Sequence, residues 1–233
     1  MSQPDLEQIA ARLQSPDVKE RVLAMIELQK DSFPAPSALP LVKQAMTDRN
    51  VQIRGMAVFT LGIKPGPDNL PLLIQVLESD ADHNMRAIAA GALGYLEDRK
   101  ALESLRHAFY EDTHWLVQFS AAIALGNLKD KQAQAVLLEA LDSKNPLVQQ
   151  AAVMALGEIG ATAAIDRLVA FVHADDWMLR KHLAEALGNL PSPQSQRALM
   201  TLAHDTKAQV AEAANLSLQR LANPSSTQDS DSN

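Results

Sequence analysis

The amino-acid sequence predicts an all-α chain, a curved right-handed α-solenoid of about seven stacked helix-turn-helix repeats. Three observations predict it: one short phrase recurs at near-constant spacing, its apolar residues fall on one helical face, and small aliphatic residues dominate the composition. Hydrophobic residues make up 47% of the 233 residues and aromatics only 4%. Alanine and leucine therefore do most of the packing, which suits helices lying close together and suits a large β core poorly.

The phrases are IRGMAVFTLGIK, MRAIAAGALGYL, VQFSAAIALGNL, VQQAAVMALGEI, LRKHLAEALGNL and a weaker VAEAANLSLQRL. Their common leucine stands at Leu28, Leu61, Leu93, Leu125, Leu156, Leu187 and Leu218, with spacings of 33, 32, 32, 31, 31 and 31. A period of this length marks a repeat architecture in which each unit packs only on its neighbours. Eight residues before the leucine stand Ile53, Met85, Val117, Val148, Leu179 and Val210. Four before it stand Ala57, Ala89, Ala121, Ala152, Leu183 and Ala214. Positions four and eight apart share one face of a helix, so this row predicts the buried side. The glycine that follows the leucine (Gly62, Gly94, Gly126, Gly157 and Gly188) marks either a helix end or a contact too close for a side chain.

A second helical pattern precedes each phrase, as in LPLLIQVL at 70–77, ALESLRHAF at 101–109 and AIDRLVAFV at 164–172. Polar turns such as ESDADHN, DSKNP and HADD follow, where Asp or Asn caps the next helix. Pro65, Pro67, Pro71, Pro146, Pro191 and Pro193 fall between helices or in first turns. Gln29 and Gln219 replace the glycine in the first and last phrases, as expected of terminal repeats with a polar outer surface. One solenoid is expected over residues 1–221 and a disordered polar tail over 222–233.

Composition narrows the function. There is no cysteine, which excludes disulfides, thiolate metal sites and a cysteine nucleophile. The net charge of -7 and the lack of any Lys/Arg cluster speak against a nucleic-acid binder. No apolar run reaches the ~20 residues of a membrane span, and the N-terminus MSQPDLEQ does not read as a secretory signal. The expectation is a cytoplasmic protein without membrane insertion. No Walker loop or GxSxG is present, and Asp175 and Asp176 read as a cap. Among the six histidines, His83 and His114 fall in turns and His182 lies within a helix.

If the leucine row is buried, positions two, six and nine before it face outward on the second helix. The fourth unit is apolar at all three, with Ile123, Phe119 and Leu116. Phe59, Met154, Leu147 and Met178 add to the strip, and Trp115 and Trp177 stand at the helix starts. An exposed apolar strip with aromatics and methionines is a candidate binding surface. The other reading is that Phe119 and Ile123 pack under neighbouring helices and that each tryptophan wedges between units. Arg21, Arg54, Arg86 and Arg180 recur seven before the leucine. They either bridge to Asp in adjoining turns or, at Arg86 and Arg180, flank the strip and pair with carboxylates of a ligand.

These phrases resemble HEAT repeats of the short bacterial type called phycobilisome-lyase-like repeats, over about residues 5–221. DTHWLVQFSAAIALGNLKD and DDWMLRKHLAEALGNL are similar to the E/F-type bilin lyase subunits and the phycobilisome degradation protein. The resemblance implies a phycobiliprotein as partner, or its open-chain tetrapyrrole, and a hetero-oligomer as the working form. The deoxyhypusine hydroxylases, also HEAT-like, carry paired His-Glu motifs for two irons. No histidine here is followed by Glu, which argues against a metal site. The expected function is a non-catalytic scaffold that recognises another protein and needs no cofactor. The alternative is a bilin lyase or lyase subunit, with phycocyanobilin held on the apolar strip.

Overall fold

The computed structural model describes residues 5–223. Among these, fourteen α-helices form seven pairs, and no strand occurs. The pairs are α1 (Leu6–Leu13) with α2 (Val18–Gln29), α3 (Ala35–Ala45) with α4 (Val51–Ile63), α5 (Asn69–Ser79) with α6 (His83–Leu96), and α7 (Leu102–Glu111) with α8 (Trp115–Asn127). They continue as α9 (Gln134–Ala140) with α10 (Pro146–Glu158), α11 (Ile165–Val169) with α12 (Trp177–Gly188), and α13 (Pro193–Leu202) with α14 (Ala208–Ala222). Each recurring phrase forms the second helix of its pair. The expected polar tail falls, from residue 224 onward, outside the described residues.

The chain divides within α8 into two compact units, Met1–Ala124 and Leu125–Asn233. In the first, α4 packs on α6, α2 and α3, and α5 packs on α6 and α7. In the second, α10 packs on α9 and α12, and α12 packs on α13 and α14. The row expected to be buried is buried in every repeat except at Leu218 of the last, which is half-buried. Ile53, Ala57 and Leu61 of α4, Ala89 and Leu93 of α6, and Ala152 and Leu156 of α10 have no solvent exposure.

The glycines answer to close packing rather than to helix ends. A Cβ on Gly157 would stand 2.7 Å from the Ala186 Cα, and one on Gly126 would stand 2.8 Å from the Ala155 Cα. Gly62 meets Ala92 in the same way. The first repeat solves the same contact differently: Gln29 Nε2 donates to Thr60 Oγ1 at 3.1 Å, so a hydrogen bond joins the two positions.

The turns are capped as the Asp/Asn spacing predicts. Asp17, Asn50, Asp82, Asn145 and Asp176 each accept the backbone N–H two residues on, at 2.9 Å. Two local features depart from the regular pattern. Pro40 lies inside α3 rather than at an end. The first helix of the sixth pair is α-helical for only five residues and tightens into a 3-10 segment over Ala170–His173.

Candidate partner-binding site

An apolar groove of the N-terminal unit lies between α4 and α6. It encloses about 640 Å³ and is lined by Val51, Gly55, Met56 and Phe59 from α4 and by Met85 and Ile88 from α6, with Gln29, Gln52, Asp82 and Asn84 around it. Gly55 keeps the floor low, because a Cβ there would stand 3.0 Å from Ile88 Cδ1. Phe59 is 36% exposed and meets the edge of Tyr95, 58% exposed, at a ring separation of 5.7 Å. Leu23, Ile26, Val51 and Ile63 of α2 and α4 are exposed as well. Large apolar side chains left in water at this density mark a surface built to be covered.

Of the residues named for the apolar strip, Phe59 alone lines this groove. On α8, Trp115 is exposed, whereas Leu116, Phe119 and Ile123 are half-buried. In the C-terminal unit, Leu147 and Met154 of α10 are exposed, and Trp177 and Met178 of α12 are half-buried. The most exposed of these side chains are Phe59 and Trp115 in the first unit and Leu147 and Met154 in the second.

The groove-lining or exposed apolar residues missed in the sequence carry a readable signal. Leu23, Met56 and Ile88 stand five before the repeat leucine, and Ile63 and Tyr95 stand two after it. Positions five before, two before and two after are three and four apart, so they form one helical row. The rows six and nine before the leucine lie further round, and Gly55 and Ala87 at six before are buried.

Arg86 and Arg180 serve the repeat interfaces. Arg86 Nε and Nη2 donate to Asp112 Oδ2 and Oδ1 at 2.6 and 3.1 Å, and its Nη1 donates to the Asp80 carbonyl at 2.9 Å. Arg180 repeats the geometry with Asp205, at 2.6 and 3.0 Å, and with the Ala174 carbonyl at 2.6 Å. Arg21 does so with Asp48 at 2.8 and 3.2 Å. Each guanidinium binds the next repeat's turn with one edge and closes its own turn with the other nitrogen. The carboxyl of Asp205 is held below its ordinary value chiefly by the Arg180 hydrogen bond. At Asp112, burial pushes the carboxyl up, and hydrogen bonds from Arg86 and the His114 N–H outweigh it. Gln118 and Gln149 take the arginine position in two repeats and donate instead to the Asp112 and Leu141 carbonyls.

The C-terminal unit holds one more polar cluster, on α12. Glu185 accepts from Lys181 at 2.7 Å and contacts His182 Nδ1 at 3.1 Å. Burial raises the Glu185 carboxyl and these two bonds overcome it, so the group stays ionised with both oxygens engaged.

The HEAT-repeat family matches residues 4–89, 70–146 and 135–219. Phycocyanobilin lyase subunit alpha of Nostoc sp. is 32% identical over 172 residues, 64% of this chain and 62% of that protein. Deoxyhypusine hydroxylase of Saccharomyces cerevisiae is 26% identical over 192 residues, 69% of this chain and 59% of that protein. The chain thus spans about three fifths of the length of these curated relatives. The residues here do not fit the metal chemistry that the hydroxylase motif implies: among the described residues, no three His, Cys, Asp or Glu side chains are grouped to hold an ion. The solved complex of CpcE and CpcF of phycocyanin lyase from Nostoc sp. shares the fold, at TM-score 0.61 and 22% identity over 95% of this chain and 96% of that one. The repeat phrase, the fourteen paired helices and the three overlapping family matches agree, and the chain belongs to the HEAT-repeat family.

Proposed function

We propose that this chain is a protein-binding scaffold whose N-terminal unit receives an apolar segment of a partner in the groove between α4 and α6. The observation that carries the reading is the open groove of about 640 Å³ with Val51, Met56, Phe59 and Ile88 on its walls. Amide side chains at Gln52 and Asn84 on its border supply donors and acceptors for a polar rim, as protein interfaces use. The similarity to a lyase subunit makes a phycobiliprotein the partner of choice.

The second reading is a bilin lyase subunit that holds phycocyanobilin, and the 32% identity to such a subunit favours it. The groove volume falls within the roughly 300–1,000 Å³ of small-molecule sites. Its chemistry fits the pigment poorly. Among the described residues, Asp82 is the one charged residue lining it, and no Lys or Arg side chain lines it to meet a propionate. Arg86 and Arg180, which would flank the strip, are engaged with Asp112 and Asp205. This absence of a cation in the groove weighs the balance toward a protein segment.

The test uses pigment-free phycocyanin subunits and free phycocyanobilin as separate ligands. The scaffold reading expects saturable subunit binding that Phe59→Asp weakens at least tenfold, about 1.4 kcal/mol, with far-UV helicity unchanged. Saturable binding of phycocyanobilin with quenching of tryptophan emission, together with transfer of pigment to the subunit, would replace it with the lyase reading.

A further inference from the structure

We propose that His114 makes the start of α8 responsive to pH: a proton on its imidazole removes the cap of this helix and loosens the first turn, which carries Trp115 and Leu116.

The second helices of the first six repeats share one capping geometry, in which the residue eleven before the repeat leucine accepts the N–H two residues on. Five of them use Asp or Asn. In α8 the capping residue is His114, whose Nδ1 accepts the Leu116 N–H at 3.3 Å. The His114 carbonyl also accepts the N–H groups of Val117 and Gln118, as a capping residue's carbonyl does. Asp and Asn remain acceptors throughout the neutral range. Imidazole accepts at Nδ1 only while that nitrogen is unprotonated, and it is the side chain that changes charge between about pH 5 and 8. A protonated ring at this position is a donor facing a donor.

His83, the first residue of α6, stacks on His114 with ring centroids 3.6 Å apart and planes 18° apart. Two charged rings this close repel each other. The other charged groups are Asp112 on the same turn, Arg86 and Asp82 on the α6 side, Arg54 of α4 near Asp82, and Glu111 at the end of α7. The Asp112 carboxylate is already shared between Arg86 and the His114 backbone N–H. The Trp115 ring lies 6.0 Å from that of His114 and is 39% exposed, so it reports on the turn. The device needs no partner.

The experiment is a titration of tryptophan emission from pH 8 to about 5 in a Trp177→Phe background, paired with hydrogen exchange of the Leu116 amide corrected for its intrinsic rate. The expected result is a sigmoidal emission change together with loss of Leu116 protection on the acid side. In His114→Asn, which restores the cap used by other repeats, both changes disappear and Leu116 stays protected. Persistence of the transition in His114→Asn overturns the proposal. So does Leu116 protection that is indifferent to pH, since the emission change would then be quenching by the charged ring. Absence of any transition overturns it too.

Discussion

Glycine serves two different purposes in this chain, and a pair of alanine substitutions separates them. Gly157 faces Ala186 of the next repeat, with a virtual Cβ 2.7 Å from backbone, whereas a Cβ on Gly91 meets nothing within 4 Å. Gly157→Ala is expected to destabilise by about 1–3 kcal/mol through overpacking. Gly91→Ala is expected to stabilise by up to about 1 kcal/mol through helix propensity. Urea midpoints measure both, and equal shifts would sink the distinction. The arginine pairs give a second residue-scale prediction. Arg180 holds the Asp205 carboxyl below its ordinary value of 3.8. A depressed folded value means that the stability from this pair is present above pH 3.8 and is lost as pH falls through the lower folded value. Asp205→Asn should therefore cost about 2 kcal/mol at neutral pH, and the gap to the parent should narrow in acid. A gap that is constant down to acid unfolding would show that the charge contributes nothing. The spacing in the sequence made this ladder legible, because Arg seven before the leucine and Asp in the following turn recur together. Which carbonyl the remaining guanidinium nitrogen closes depends on turn geometry that spacing does not carry.

Helix α8 shows where element-scale reading of a sequence stops. Its leucine, alanine and valine row is buried as the period demands: Val117, Ala121 and Leu125 have no exposure. The opposite face was expected to be open, and Leu116, Phe119 and Ile123 are instead half-buried. A helical wheel fixes which residues share a face. It does not say how far a neighbouring helix wraps round that face. In α4 the equivalent of Ile123 is Phe59, which is 36% exposed on the wall of a groove whose floor Gly55 keeps low. The two phenylalanines should therefore respond differently to one change. Phe119→Asp places a charge in a half-covered site and is expected to cost about 2 kcal/mol. Phe59→Asp is expected to leave the urea midpoint within about 0.5 kcal/mol of the parent. If Phe119→Asp unfolds no more readily, α8 is an open face and belongs to the binding surface after all. Pro40 in the middle of α3 and the 3-10 segment over Ala170–His173 were not legible either. First helices carry no repeated phrase against which an irregularity would stand out.

At the scale of the whole molecule, a repeat fold writes its core many times, and that redundancy is why the architecture was readable. Any one phrase is an ambiguous apolar helix, but phrases at near-constant spacing leave a stack of helix pairs as the way to bury every copy. The groove has no such redundancy: it exists because one helix carries Gly55 and Phe59 where others carry different residues. The same logic predicts how stability is distributed within the C-terminal unit. α10 packs against both α9 and α12, whereas α14 ends the described stack and leaves Leu216 54% exposed. Its anchor Leu218 is only half-buried, while Leu156 of α10 and Leu187 of α12 are fully buried. In a nearest-neighbour array the end element opens with less loss of contact than an interior one. Native-state hydrogen exchange should show α14 amides opening at a free energy lower by at least about 1 kcal/mol than those of α10. Added denaturant should raise α14 exchange with a shallow slope, because little surface is exposed when one helix frays. Amides of α10 should follow the steep slope of the unit as a whole. Identical opening energies and slopes for the two helices would mean that the unit unfolds as one block, and the repeat would then be a feature of sequence and shape with no counterpart in its energetics.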